Sequence, residues 1–158
     1  MNNETLLARV DALESRAAIE ALISGYANAF DRKDRRLLRD IWHEDAILDL
    51  PGFGSAASRD EILSMANNNW QKMPHMHHWM ANPLIEIDGE NATATVAANC
   101  LFHDIELGPV QVSGLYYDRF SRRSGQWRFL SRCFQLHYLT PQKNWVPVAG
   151  TEQFITSN

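Results

Sequence analysis

Apolar residues in the first part of the chain recur at helical spacing. Ile19, Leu22, Ile23, Tyr26 and Phe30 fall on one stripe of a helical wheel. That stripe predicts a helix ending near Phe30 and lying on an apolar surface. Asp34 is placed as the N-cap of a short second helix whose Leu37, Leu38, Ile41 and Trp42 turn inward. HEDAILDLPGFGS then reads as a short strand broken by Pro51, Gly52 and Gly54. Ser58 followed by Glu61 has the spacing of a capping box and opens a third helix through about Trp70. From His77 the period changes to two. The chain runs extended to Ile87 and turns at Asp88-Gly89. ATATVAANCLFH forms the next long strand, and VQVSGLYYDRF and QWRFLSRCFQLHYL pair through a turn around Ser124-Gly125.

Helices first and a meander of long strands afterwards predict an α+β fold, with three N-terminal helices against a curved antiparallel or mixed sheet. Curvature against the helices leaves a hollow, the natural place for a ligand. Without repeats or linkers, residues 1–158 read as a single domain. Its core spans about residues 6–141, and a tail from Gln142 to Asn158 carries Trp145, Val146, Pro147 and Val148, placed over the pocket mouth or a neighbouring subunit.

Composition narrows the partners. A net charge of −4 argues against a nucleic-acid partner, which calls for a basic face. No apolar run reaches membrane-spanning length, and the polar start MNNETLLARVDALESR lacks a secretory signal. Cys100 and Cys133 have no metal-type spacing and read as reduced thiols of a cytoplasmic protein. Arg119, Arg122, Arg123, Arg128 and Arg132 read as solvated surface of the sheet.

Few residues are placed to carry chemistry. His78 enters the first long strand beside Trp79 and Met80, where an imidazole titrating near neutrality serves as a general base. The bland reading is a surface or capping histidine. Asp31 closes the first helix and either orients that imidazole, as an aspartate does in a triad, or caps the second helix. Tyr26 lies on the apolar stripe, as a packed core residue or as a hydroxyl donor to a substrate oxygen. Five residues separate it from Asp31, about 140° on a regular helix, so the two share a pocket only if the helix ends near Phe30. His103 reads equally as a second acid in the pocket or as a solvated strand end. Arg132 lines the pocket or leans out at its rim. Phe30, Trp42 and Trp79 join it as candidate substrate-binding residues. In the tract His75-Met76-His77-His78, two histidines share a strand face, but no third ligand at matching spacing appears, so no metal is assigned.

The segment SRAAIEAL at 15–22, DRKDRRLLRDIWHEDAILDL at 31–50, HHWMANPL at 77–84 and GLYYDRFSRRSGQWRFLSR at 114–132 resemble SnoaL-like domains of the nuclear-transport-factor-2-like superfamily. The similarity runs from about Leu6 to Pro141 and is especially close to the hexachlorocyclohexane dehydrochlorinases. It implies a cone-shaped α+β roll and a His78–Asp31 catalytic dyad, with Arg132 matching an arginine of the last strand. Scytalone dehydratases of the same fold have two pocket histidines that match His78 and His103. Bile acid dehydratases use a tyrosine, an aspartate and a histidine similar to Tyr26, Asp31 and His78. All three perform eliminations. The resemblance therefore implies a cofactor-independent lyase acting on a small hydrophobic cyclic substrate, assembled as a homotrimer. The same superfamily holds ketosteroid-isomerase-like enzymes and non-catalytic binding or assembly modules.

Overall fold

The first apolar stripe forms α1 (Asn3–Asp31), which buries Ile19, Ile23, Tyr26 and Phe30. In this computed structural model residues 3–143 are described, so the tail residues Trp145 to Val148 lie outside them. Lys33 adopts φ 56° and ends the helical path. Asp34 then caps α2 (Arg35–Asp40), its carboxylate accepting the Leu37 N–H at 2.9 Å. Ile41 closes α2, and Trp42 opens β1 (Trp42–Leu50) instead of extending the helix. A turn through Gly52 (φ 87°) folds β2 (Gly54–Ala56) back onto β1. The capping box before α3 (Arg59–Lys72) forms with a shift of partner. Ser58 Oγ accepts the Glu61 N–H at 3.3 Å, but the Glu61 carboxylate reaches back to the Ala57 N–H at 2.9 Å.

Four long strands follow: β3 (His75–Asp88), β4 (Asn91–Asp104), β5 (Gly108–Arg123) and β6 (Gln126–Pro141). The first hairpin turns one residue later than expected. Asp88 pairs with Asn91, leaving Gly89 and Glu90 at the tip, with Gly89 at φ 55°. Ser124 and Gly125 sit at φ 52° and 76°, the left-handed pair a tight hairpin requires. The sheet order is β2-β1-β6-β5-β4-β3, antiparallel except where β1 runs parallel to β6. The sheet is therefore mixed, with helices packed against it.

Register shifts interrupt the ladders of the long strands. On edge strand β3 the register shifts between Ala81 and Leu84, around Asn82 (φ 51°) and Pro83. A proline has no N–H for the ladder, so a bulge on an edge strand accommodates it. On β5 the register shifts between Ser113 and Gly114, and a Cβ at Gly114 would stand 2.0 Å from the Gln135 carbonyl oxygen. Only glycine permits that approach. The inner face of the sheet presents Val96, Val112, Tyr116, Phe129 and Phe134 to α1 and to Ile62, Leu63 and Ala66 of α3. No helix among the described residues is long and apolar enough to cross a membrane.

Candidate active site

The site forms where α1 ends and β3 begins. Because α1 stops at Asp31 and Asp34 supplies the next cap, the Asp31 carboxylate is free to leave the helix. The Trp70 indole N–H donates to the Phe30 carbonyl at 3.0 Å, satisfying one of the acceptors the helix end exposes. Asp31 grips His78 at two points. Oδ2 accepts the His78 backbone N–H at 2.9 Å, and Oδ1 accepts Nδ1–H of the ring at 2.5 Å. A carboxylate on Nδ1 selects the tautomer with the proton there, leaving Nε2 as the basic nitrogen. The side chains are 11% and 18% exposed, respectively, for His78 and Asp31.

The surroundings of His78 hold its imidazole above the near-neutral range that its position in the sequence suggests. Burial works against the imidazolium, but hydrogen bonds to Asp31 and Cys100 outweigh it and push the pKa up to about 9. His77, one residue earlier, points to the other face of the strand. Its Nδ1 is 3.8 Å from Asp31 Oδ2, the side chain is 60% exposed, and the ring meets Trp79 edge-on.

His78 stands in the wall of a pocket that holds about 470 Å³ of atom-free space, its open mouth included. Phe30, Leu50, Phe53, Val112 and Phe134 make its surface mainly apolar, and Met73, Met76 and Phe102 complete that apolar lining. Tyr26, Tyr116, His78 and Cys100 bring the polar atoms. Burial raises the pKa of both Tyr26 and Tyr116, so the two phenols stay protonated and can donate hydrogen bonds.

Behind the tyrosines lies Arg132. It is fully buried, neither lining the pocket nor leaning out at a rim, and it is not part of a solvated surface. Its Nε and Nη2 donate to the two oxygens of Asp118, each at 2.7 Å. Its guanidinium carbon lies 4.2 Å from the ring centres of Tyr26 and Tyr116 and 4.6 Å from that of Phe129. Burial opposes the charge, and Asp118 more than offsets it, so the guanidinium is held above its ordinary range. The sequence offered this arginine as a ligand contact; in the fold it is the floor on which the two pocket tyrosines rest.

Other expectations part company with the geometry. Trp42 is a core residue, packed on Phe129 at 4.7 Å between ring centres, and does not line the pocket. Trp79 is 46% exposed on the opposite face of β3 from His78. His103 faces His75 across the ladder, with ring centres 6.4 Å apart, away from the pocket lining. Phe30 and Tyr26 line the pocket. Sequence reasoning missed Cys100 and Tyr116. Both follow from strand pairing, since Cys100 is the direct cross-strand partner of His78 and Tyr116 lies on the inner face of β5. Among the described residues, no three of His, Cys, Asp and Glu gather as a metal ion would require.

The chain is 28% identical over 135 residues to a gamma-hexachlorocyclohexane dehydrochlorinase of Sphingobium indicum, covering 84% of this chain and 86% of that one. A solved dehydrochlorinase of the third type from Novosphingobium barchaimii shares the fold with a TM-score of 0.83 at 26% identity, over 89% of this chain and 99% of that one. A nuclear-transport-factor-2-like protein with a cystatin-like fold from Novosphingobium aromaticivorans superposes with a TM-score of 0.74 at 23% identity, over 85% and 90% of the two chains, a likeness of fold alone. The SnoaL-like domain family matches residues 11–133 directly, and the chain belongs to it.

Proposed function

We propose that this protein is a lyase that carries out a cofactor-independent β-elimination on a small, hydrophobic, cyclic compound, with His78 as the base. One observation carries the reading: an imidazole held at Nδ1 by a carboxylate in the wall of an open apolar pocket. Relatives that by name remove hydrogen chloride from a chlorinated ring support the elimination class. In the proposed step, His78 Nε2 takes a proton from carbon. Asp31 holds the ring orientation and stabilises the imidazolium that results. The Tyr26 hydroxyl, with Tyr116 beside it, donates to the departing hydroxide or to a neighbouring carbonyl oxygen. His103 has no part in this scheme. Loss of water from a hydroxylated ring, a dehydratase reaction, is the form we favour. General-base catalysis supplies on the order of 10² to 10⁴ in rate, and positioning within the pocket supplies the rest. A homotrimer acting in the cytoplasm belongs to the same proposal, and a monomer by light scattering would remove the trimer.

The test is turnover against a panel of hydroxylated and halogenated ring ketones, followed by product mass. Elimination lowers the mass by the lost group, whereas a ketosteroid-isomerase-like proton transfer leaves it unchanged. His78→Ala and Asp31→Ala should each lose at least about 10²-fold in kcat. Wild-type turnover in either variant sinks the dyad.

A further inference from the structure

The elimination uses a base, its orienting carboxylate and a hydroxyl donor, and it leaves one reactive group of the pocket idle. Cys100 lies directly opposite His78 in the β3–β4 ladder. Cross-strand partners on one face have Cβ atoms about 4.5–5.5 Å apart, which sets the thiol beside the imidazole. Both side chains line the pocket. With Nδ1 of His78 committed to Asp31, the nitrogen left for the thiol is Nε2. Thiol, imidazole and carboxylate therefore stand in series, the arrangement by which a cysteine nucleophile is activated. The other cysteine is differently placed. Cys133 is exposed, with its sulfur 3.9 Å from Asp49 Oδ2, outside the pocket.

We propose that Cys100 is a nucleophilic site that captures small cyclic α,β-unsaturated carbonyl compounds by conjugate addition. The activated thiol stands apart from the lyase reading; the choice of electrophile rests on it, because eliminating a β-substituent from a ring ketone leaves a ring enone. In the step, taken when the His78 ring is neutral, the Cys100 proton passes to Nε2 of His78 and the sulfur forms a bond to the β-carbon. The electrons of the carbon–carbon double bond move to the α-carbon and carbonyl as an enolate. The imidazolium then returns its proton to the α-carbon. Thiol has added across the double bond, and no oxidant or co-reactant is consumed. Run backwards, the sequence is itself a β-elimination with thiolate as the leaving group. The residues that make the enone therefore also release it from Cys100, and the adduct acts as a reversible brake by product.

Cyclohexenone incubated with the full chain, read by intact mass and peptide mapping, tests this. The expected result is one adduct on Cys100, forming before any on exposed Cys133 and decaying after the free enone is removed. Cys100→Ser should abolish it, and His78→Gln should slow it by at least about tenfold. An inert buried thiol gives the opposite order, with Cys133 modified first and Cys100 only on unfolding. That order, or an unchanged Cys100 rate in His78→Gln, overturns the proposal. The order is read in the wild-type chain, so it stands even if a variant fails to fold. Modified Cys100 without turnover on any ring substrate defeats the lyase reading alone; turnover with unreactive Cys100 defeats this inference alone.

Discussion

Replacing Asp31 by Asn keeps the shape of the side chain but removes the charge that holds a proton on His78. The pKa of the ring is raised from its ordinary 6.5 to about 9 in the folded protein. A group whose folded pKa is raised stabilises the fold fully below the unfolded value and loses that stability as the pH rises through the folded value. The window for His78 therefore opens near pH 6.5 and closes above about pH 9. Across it, the gap between the two values corresponds to about 3 kcal/mol. Only 11% of the His78 side chain is exposed, so solvent screening takes little from that figure. In Asp31→Asn the burial that opposes the imidazolium is countered only by Cys100, and the pKa falls.

Urea unfolding from about pH 5 to about pH 10, wild type minus variant, reads the effect. The gap between the two proteins should be widest at or below pH 6.5 and shrink by about 3 kcal/mol by pH 10. An NMR titration of the His78 ring assigns the change to the residue. Parallel stability curves, or a wild-type ring that titrates at or below its ordinary value, would refute the reasoning.

Three further outcomes follow from the same structure. If neutral His78 is the base, kcat/KM climbs about tenfold per pH unit above neutrality and levels off near pH 9, and a maximum at neutral pH would assign the base elsewhere. Asp118→Ala strands the fully buried Arg132 charge and should cost about 3–5 kcal/mol in denaturant unfolding, with a loss below about 1 kcal/mol contradicting the buried pair. Asp34→Ala should cost about 1 kcal/mol as a lost helix cap while leaving turnover intact, and a turnover loss equal to that of Asp31→Ala would mean the two aspartates share a role.

The elements that the sequence announces are those whose signals are local. The stripe from Ile19 to Phe30, the Asp34 and Ser58 caps and the left-handed Ser124-Gly125 turn each act over a few residues, and each forms. The errors come from long-range pairing. Nothing near Trp42 says that it begins a strand running parallel to β6, and that placement buries it in the core. Arg132 was unreadable for a similar reason. An arginine on an apolar strand face looks like a ligand contact until Asp118, fourteen positions earlier and directly across the β5–β6 ladder, neutralises it. His78 and Asp31 lie 47 residues apart and were joined by resemblance to relatives, because sequence alone favoured a capping role for Asp31. The structure resolves that ambiguity by giving the cap to Asp34.

In the proposed elimination, a base with a pKa of about 9 sets a tension that the pocket itself relieves. Removing a proton from carbon favours a strong base, and the Asp31 contact makes His78 stronger than a free imidazole. The same contact leaves only about one ring in a hundred neutral at pH 7 in the empty pocket. An apolar ring entering between Phe30, Val112 and Phe134 displaces solvent from the exposed part of His78. Deeper burial disfavours the imidazolium, the direction in which burial already acts on this residue. Under the proposed elimination, substrate binding would therefore expel the proton that blocks catalysis, while Asp31 would still stabilise the imidazolium formed in the transition state. The pH profile of kcat, which reports the bound state, accordingly lies at lower pH than that of kcat/KM. Coincident profiles would mean that the pocket leaves His78 as solvated with substrate as without it.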